Sequence, residues 1–258
     1  MIDFKHAMAT FKKYLENFDS KYGKIDLKIR HTYGAVKASE YIANKLNLNT
    51  EDVELAKLIA LLHDIGRFEQ IKQSDSFIDN KDMDHAILGN DILFKNNLIR
   101  DFVKDTQYDN IISKAILNHN RLYIEDGLTE RELLHAKIIR DADKTDNFRV
   151  KAEEDFESII DNSSKDILEN DIISENIFND FMNSKIIVRE DRKTQMDFWV
   201  SYIAFIFDYN YKFGLVYIKE MNYINVIVDR LYYKNTDTKQ KMELIRKHAL
   251  EFIDERIL

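Results

Sequence analysis

The chain has 258 residues, 45% of them hydrophobic and 33% charged, an ordinary balance for a globular protein. At that length it can bury roughly 70–75% of the surface its unfolded form exposes, as one compact domain with an appendage or as two small ones. A net charge of −8 disfavours a binder of nucleic-acid backbone, and the lack of cysteine removes disulfides, thiolate zinc sites and cysteine nucleophiles together. Zero prolines and six glycines leave few helix breakers, so long helices joined by short polar turns are expected.

Phe4, Met8, Phe11, Leu15 and Phe18 recur at helical spacing and predict an amphipathic N-terminal helix. A second helix, from about Asp26 to Leu46, places His31, Ala35, Ala38 and Ile42 on one face. A third, from about Thr50, carries Leu55, Ile59 and Leu62 into His63–Asp64, with Gly66 as its expected stop. Asp84 is a good N-cap for a helix bearing His85, Leu88, Gly89 and Ile92. Asp109 is expected to cap another, with Ile112, Ala115, Ile116 and His119 along one stripe. Thr129-Glu130-Arg131-Glu132 reads as a capping box opening a helix to about Phe148 that contains RDADKTDN (140–147).

After position 150 the composition shifts. Residues 151–193 are acidic and loosely patterned, with a turn expected at Asn162-Ser163-Ser164. Residues 196–217 are aromatic, and Met242, Ile245, Ala249 and Phe252 line a closing helix. Strand signals are weak throughout, so the fold class expected is all-α. The division expected is residues 1–150 as a metal-binding core with its N-terminal helix, and 151–258 as a helical extension packed on that core. The first residues lack the apolar stretch of a secretory signal and IAFIF (203–207) is too short to span a membrane, so no membrane association and a cytoplasmic location are expected.

The chemistry is concentrated in one string, LIALLHDIGRFEQ (58–70), where an apolar run feeds into His63–Asp64. Ionisable groups at the end of such a helix are costly to bury unless a charge satisfies them. His31, His63–Asp64, His85, His119 and Asp143 stand on or near apolar faces of five helices or helix ends, and shared coordination of cations would remove the cost of burying them all. Histidine and carboxylate donors without thiolate fit divalent ions, Mn or Fe before Zn, Ni, Co or Mg. Six side chains exceed one open site. The natural division puts His31, His63, Asp64 and Asp143 around one ion, and His85 and His119 around a second bridged by Asp64. Arg67, four residues past His63, and Lys144, beside Asp143, are candidate cations for a phosphate. Periodicity leaves Asp141 and Asp143 in competition for the ligand role. Asp141 or Asp146 could instead orient a ligand histidine. His6, His135 and His248 have no partner pattern and stay outside the site.

The ordered strings RHTYGAV, LLHDIGR, DHAILGN, ILNHN and RDADK resemble the HD-domain superfamily of metal-dependent phosphohydrolases over roughly residues 20–150. The resemblance is greatest to branches with a dinuclear H…HD…H…H…D set, and it favours Asp143 over Asp141. It implies an all-helical core and hydrolysis of phosphomonoesters, phosphoanhydrides or phosphodiesters of a small, nucleotide-like substrate by metal-activated water. The GYP signature of cyclic-dinucleotide phosphodiesterases is missing: HNRLYIEDGLTERE stands where it would fall. A di-iron oxygenase of HD type and a nucleotide-binding regulatory module are the alternatives. The aromatic stretch 196–217 is expected as core, with a possible share in stacking a base, and Asp208 within it as a carboxylate that could reach the site.

Overall fold

The computed structural model describes residues 2–80, 82–159 and 164–258. Among them the secondary structure is helical, with no strand. The chain divides into two compact units, residues 1–146 and 147–258.

In the first unit α1 (Phe4–Leu15) is capped by Asp3, whose carboxylate accepts from the His6 N–H. The next helix, α2 (Gly23–Lys45), begins three residues before the expected Asp26 and is the longest of this unit before the division. Asn49 caps α3 (Thr50–Leu62) through the Asp52 N–H. His63 and Asp64 then form the joint to α4 (Ile65–Ser74), with Asp64 as its N-cap residue. Asp84 caps α5 (His85–Asn90) by accepting from Ala86 and Ile87, and a π-helical turn, Asp91–Lys95, continues it. A short α6 (Ile99–Phe102) leads to α7 (Asp109–His119). Asp109 turns out to be the first residue of α7 and not its cap: a 3-10 turn at Thr106–Tyr108, capped by Asp105, precedes it, and Asp109 pairs with Arg100. The expected capping box at Thr129 opens α8 (Glu130–Glu153), with the Glu132 carboxylate 2.8 Å from the Thr129 N–H. This helix runs past Phe148, so the division at residue 146 falls inside a helix and not in a linker.

The core of this unit surrounds α3. Leu55, Leu58, Ile59, Leu61 and Leu62 are fully buried with Phe11, Phe68, Phe102 and Ile112. A helix buried on so many sides delivers its C-terminal end, His63–Asp64, into the interior, which is why these two groups have no access to bulk water. Gly66 is not a stop. It lies in the first turn of α4, where the chain touches α5: a Cβ there would stand 2.2 Å from the His85 carbonyl oxygen and 2.5 Å from the Gly89 nitrogen. Two glycines at one crossing let α4 and α5 approach at backbone distance, and this brings His85 to Asp64.

The second unit contains α9 (Phe156–Ile159), α10 (Lys165–Asn170), α11 (Glu175–Met182), α12 (Gln195–Ile203), α13 (Lys212–Glu220), α14 (Tyr223–Asp229) and α15 (Thr236–Ile257). The turn expected at Asn162-Ser163-Ser164 lies outside the described residues except for Ser164, which caps α10. Met196, Trp199, Val200, Ile203 and Ile206 are buried with Ile177, Phe181, Ile245 and Ala249, so the aromatic stretch serves as core. Asp208 ends a half-buried 3-10 turn, Ala204–Asp208. No helix among the described residues is long and apolar enough to cross a membrane.

The glycine crossing is testable. Gly66→Ala forces backbone apart and should cost about 1–3 kcal/mol, as other overpacking changes do. Gly23→Ala meets nothing within 4 Å and should be neutral or stabilising, by about 0.4–1 kcal/mol. Urea denaturation of both variants checks the contrast, and equal losses would reject the packing argument.

Candidate metal centre

The imidazole of His63 projects from the last turn of α3. Its Nδ1 lies 2.7 Å from the Ala60 carbonyl oxygen, which can only accept, so Nδ1 carries the proton and Nε2 presents a lone pair. His119, at the end of α7, repeats this device, with Nδ1 2.6 Å from the Ile116 oxygen. The other two histidines use carboxylates in the same way: His31 Nδ1 is 2.9 Å from Asp146 Oδ2, and His85 Nδ1 is 2.7 Å from Asp79 Oδ2. Each ring is thus oriented through Nδ1, leaving Nε2 to face a common interior point. Outer hydrogen bonds of this type orient metal-binding histidines.

Asp64 stands between the two halves. Its Oδ2 is 3.6 Å from both His31 Nε2 and His63 Nε2, while Oδ1 is 3.3 Å from His85 Nε2 and 3.7 Å from His119 Nε2. Asp143, on α8, places Oδ1 3.0 Å from His31 Nε2 and 3.8 Å from His63 Nε2. Asp141 is two residues earlier, about 200° around the helix, so the helical period turns it away from Asp143. Two overlapping groups of donors result, His31–His63–Asp64 and Asp64–His85–His119, with the donor atoms of each within 4.8 Å of one another.

These donors fit divalent cations. His85 Nε2 and His119 Nε2 are 2.9 Å apart, so two neutral rings would face each other lone pair to lone pair. That contact is repulsive unless positive charge lies between or beside the nitrogens. Two ligands at roughly 2.1 Å from one ion match such a separation. His63 Nε2 is buried with no hydrogen-bond partner, a costly state that a cation relieves.

Electrostatics divide the histidines. Burial pushes His63 down to about 4, and burial with the Arg67 charge does the same to His85, so both are neutral near pH 7. For His31, burial and Lys28 oppose protonation, but the Asp143 and Asp146 carboxylates outweigh them and raise it to about 9. An imidazolium between two carboxylates therefore stands where a metal ligand is expected. Burial alone would raise Asp64, yet Lys28 and then His63 hold it well below the usual carboxylate range.

All six expected ligands meet at this point. The expected phosphate cations are placed differently. Arg67 has its guanidinium engaged: Nη1 donates to Gln70 Oε1 at 2.6 Å, to the Phe77 oxygen at 2.7 Å and to Asp79 Oδ1 at 3.0 Å. These contacts tie Arg67 to Asp79, the carboxylate that orients His85, while its Nε, buried without a hydrogen-bond partner, lies 3.7 Å from Asp64 Oδ1. Lys144 is buried on α8, about 100° around the helix from Asp143.

Three participants escaped the sequence analysis or were undervalued in it. Asp79 lies in an irregular segment without periodicity. Asp146 is buried, and Gly34 explains how it reaches His31: a Cβ at Gly34 would stand 1.7 Å from Asp146 Oδ1. The glycine three residues after His31 was the available signal. Lys28, one turn before His31, donates to Asp64 Oδ2 at 2.6 Å. His135, outside the cluster, is buried against Asp52 at 3.0 Å, and His248 meets Ser184 at 2.9 Å.

Residues 29–147 match the family model of the HD domain. The chain carries an HD domain. The matched stretch takes in the whole cluster with Asp79 and Asp146. The HD family consists mostly of metal-dependent phosphohydrolases. No curated protein and no solved structure gives a significant match to the chain.

Two outcomes follow from this geometry. Asp79→Asn removes the acceptor that orients His85 and should weaken binding of one of two cations about 10- to 100-fold, measured by titration with Mn²⁺. For His31, proton and metal compete for Nε2. Raising pH from 6 toward 9 deprotonates it, so metal affinity should rise about tenfold per pH unit and level off above about 9. Calorimetry at pH 7 in buffers of different ionisation heat should show about one proton released with the cation that takes His31. No proton release would contradict the charged His31.

Proposed function

We propose that the HD domain of this chain is a metal-dependent phosphohydrolase acting on a small, nucleotide-like phosphorylated molecule. The bond cleaved is a phosphomonoester, phosphoanhydride or phosphodiester. One cation would be held by His31, His63, Asp64 and Asp143, and a second by His85 and His119 with Asp64 shared. The observation that carries this reading is the Nε2–Nε2 approach of His85 and His119 beside an Asp64 whose two oxygens face different histidine pairs. One carboxylate serving two donor sets suits a pair of ions better than a single one.

A cation in such a site supplies a bound water of lowered pKa and a positive grip on phosphoryl oxygens. The chain's own residues prepare the place. Ala60, Ile116, Asp79 and Asp146 hold the four imidazoles with Nε2 inward, and Arg67 holds Asp79. Burial of His63 and Asp64 keeps bulk water from competing for the donors. Lys144 adds positive charge from α8. Cysteine cannot serve as nucleophile because the chain has none. Donors limited to nitrogen and oxygen favour Mn or Fe, with Mg, Co, Ni and Zn compatible.

The test is metal analysis of the purified protein together with a hydrolysis screen over phosphomonoesters, nucleotides, dinucleoside polyphosphates and cyclic dinucleotides. His63→Ala and Asp64→Ala should each lose at least about a hundredfold in rate and bind less metal, as losses of a site's own ligands do. Full activity with full metal content in either variant would reject the site. Oxygen uptake with a mixed-valent iron signal and no phosphate release would assign the same ligands to a di-iron oxygenase. Tight nucleotide binding without turnover would assign them to a regulatory module.

A further inference from the structure

Lys28 lies one residue outside the matched HD stretch, and neither its spacing nor its neighbours in sequence marked it. In the structure it comes one helical turn before His31 on α2 and enters the cluster. Its Nζ is 2.6 Å from Asp64 Oδ2, and its side chain is only 16% exposed. On its other side the ammonium lies 5.6 Å from the centre of the Phe77 ring, a face that attracts charge but accepts no ordinary hydrogen bond. An ammonium has three donors. Asp64 takes one, and among the described residues no other side chain or carbonyl lies in hydrogen-bonding distance of the Lys28 ammonium.

The oxygen that Lys28 binds is the one facing His31 and His63. A divalent cation shared by those histidines and Asp64 would draw on the same Oδ2. Two positive groups would then share one carboxylate oxygen in a largely buried place, and an anion beside them would restore the balance. Arg67 stands at the other oxygen: its Nη1 is bound by Asp79, Gln70 and the Phe77 carbonyl, and its Nε lies 3.7 Å from Asp64 Oδ1, which faces His85 and His119.

We propose that Lys28 is the residue of this chain that contacts the substrate's phosphoryl oxygens, using the donors that Asp64 leaves over. The inference rests on the phosphohydrolase reading, and it specifies the ligand class at this end of the site as a phosphoryl group. Asp64 would hold Lys28 in place, and the phosphoryl oxygens would lie between the ammonium and the cation of the His31–His63 half.

The test uses the full-length protein loaded with Mn²⁺ and orthophosphate as the probe, with direct binding read by calorimetry. Lys28→Met keeps the length and removes the charge, and Lys28→Arg keeps the charge. Metal content and thermal unfolding are measured on both. The expected result is that Lys28→Met keeps its metal but binds orthophosphate about tenfold or more weakly, as loss of a charge-assisted contact predicts, while Lys28→Arg recovers much of the affinity. Wild-type orthophosphate affinity in Lys28→Met overturns the proposal and leaves the hydrolase reading to the His63 and Asp64 variants. Loss of metal in Lys28→Met also overturns it, since Lys28 would then act by holding Asp64. If the wild type binds no orthophosphate, the proposal fails, and the hydrolysis screen decides separately whether the hydrolase reading fails with it.

Discussion

Everything in the first unit depends on how one buried carboxylate is satisfied. Asp64 is taken out of water and set within 3.7 Å of four imidazole nitrogens, and Lys28 is the one cation in hydrogen-bonding distance of it among the described residues. All four histidines are oriented through Nδ1 by carbonyl or carboxylate oxygens, so each turns its Nε2 inward. A cluster of lone pairs and carboxylates inside a protein is unstable unless positive charge joins it. Lys28, 2.6 Å from Asp64 Oδ2, brings one such positive charge, and the Asp143 and Asp146 carboxylates favour a proton on His31 as another.

The fold exists around this demand at two scales. At the scale of packing, α3 is buried on enough sides to force its C-terminal residues inward, and α4 leaves at once so that His63 and Asp64 diverge to serve different partners. At the scale of atoms, glycine is placed where a methyl group would prevent the approach. Gly66 and Gly89 admit α5 to α4, and Gly34 admits Asp146 to His31. These positions are as much a part of the centre as its donors, because each sets a distance that a side chain would lengthen.

Arg67 and Lys28 show why charge type and spacing are weak guides to role. Both are cations within reach of Asp64. Arg67 sits in the motif itself, and its Nη groups are bound by Asp79, which folds back from an irregular segment, while its Nε faces Asp64 Oδ1 at 3.7 Å. Lys28 carried no signal, and it faces the carboxylate directly. A planar group with several donors is readily captured by a network, whereas a point charge with one contact keeps donors to spare.

Helical periodicity was legible in the chain: the inward faces of α2, α3 and α7, the Asp84 and Thr129 caps and the all-helical class follow from local rules of spacing and capping. The six candidate ligands were legible too, because burying ionisable residues on apolar faces is costly and their order along the chain is specific. Asp143 was separated from Asp141 only by family resemblance at that level, since both lie on faces with apolar neighbours. Tertiary structure decided the rest: Gly66 as a crossing and not a stop, Asp109 as the first residue of its helix and not the cap, Asp79 and Asp146 as the groups orienting histidines, and the placing of Lys28 on Asp64 and of Arg67 on Asp79. Those depend on contacts between residues from 6 to 115 positions apart, which no local pattern encodes. Donor type is a property of the residue, but what a donor binds is a property of the packing that brings its partner to it.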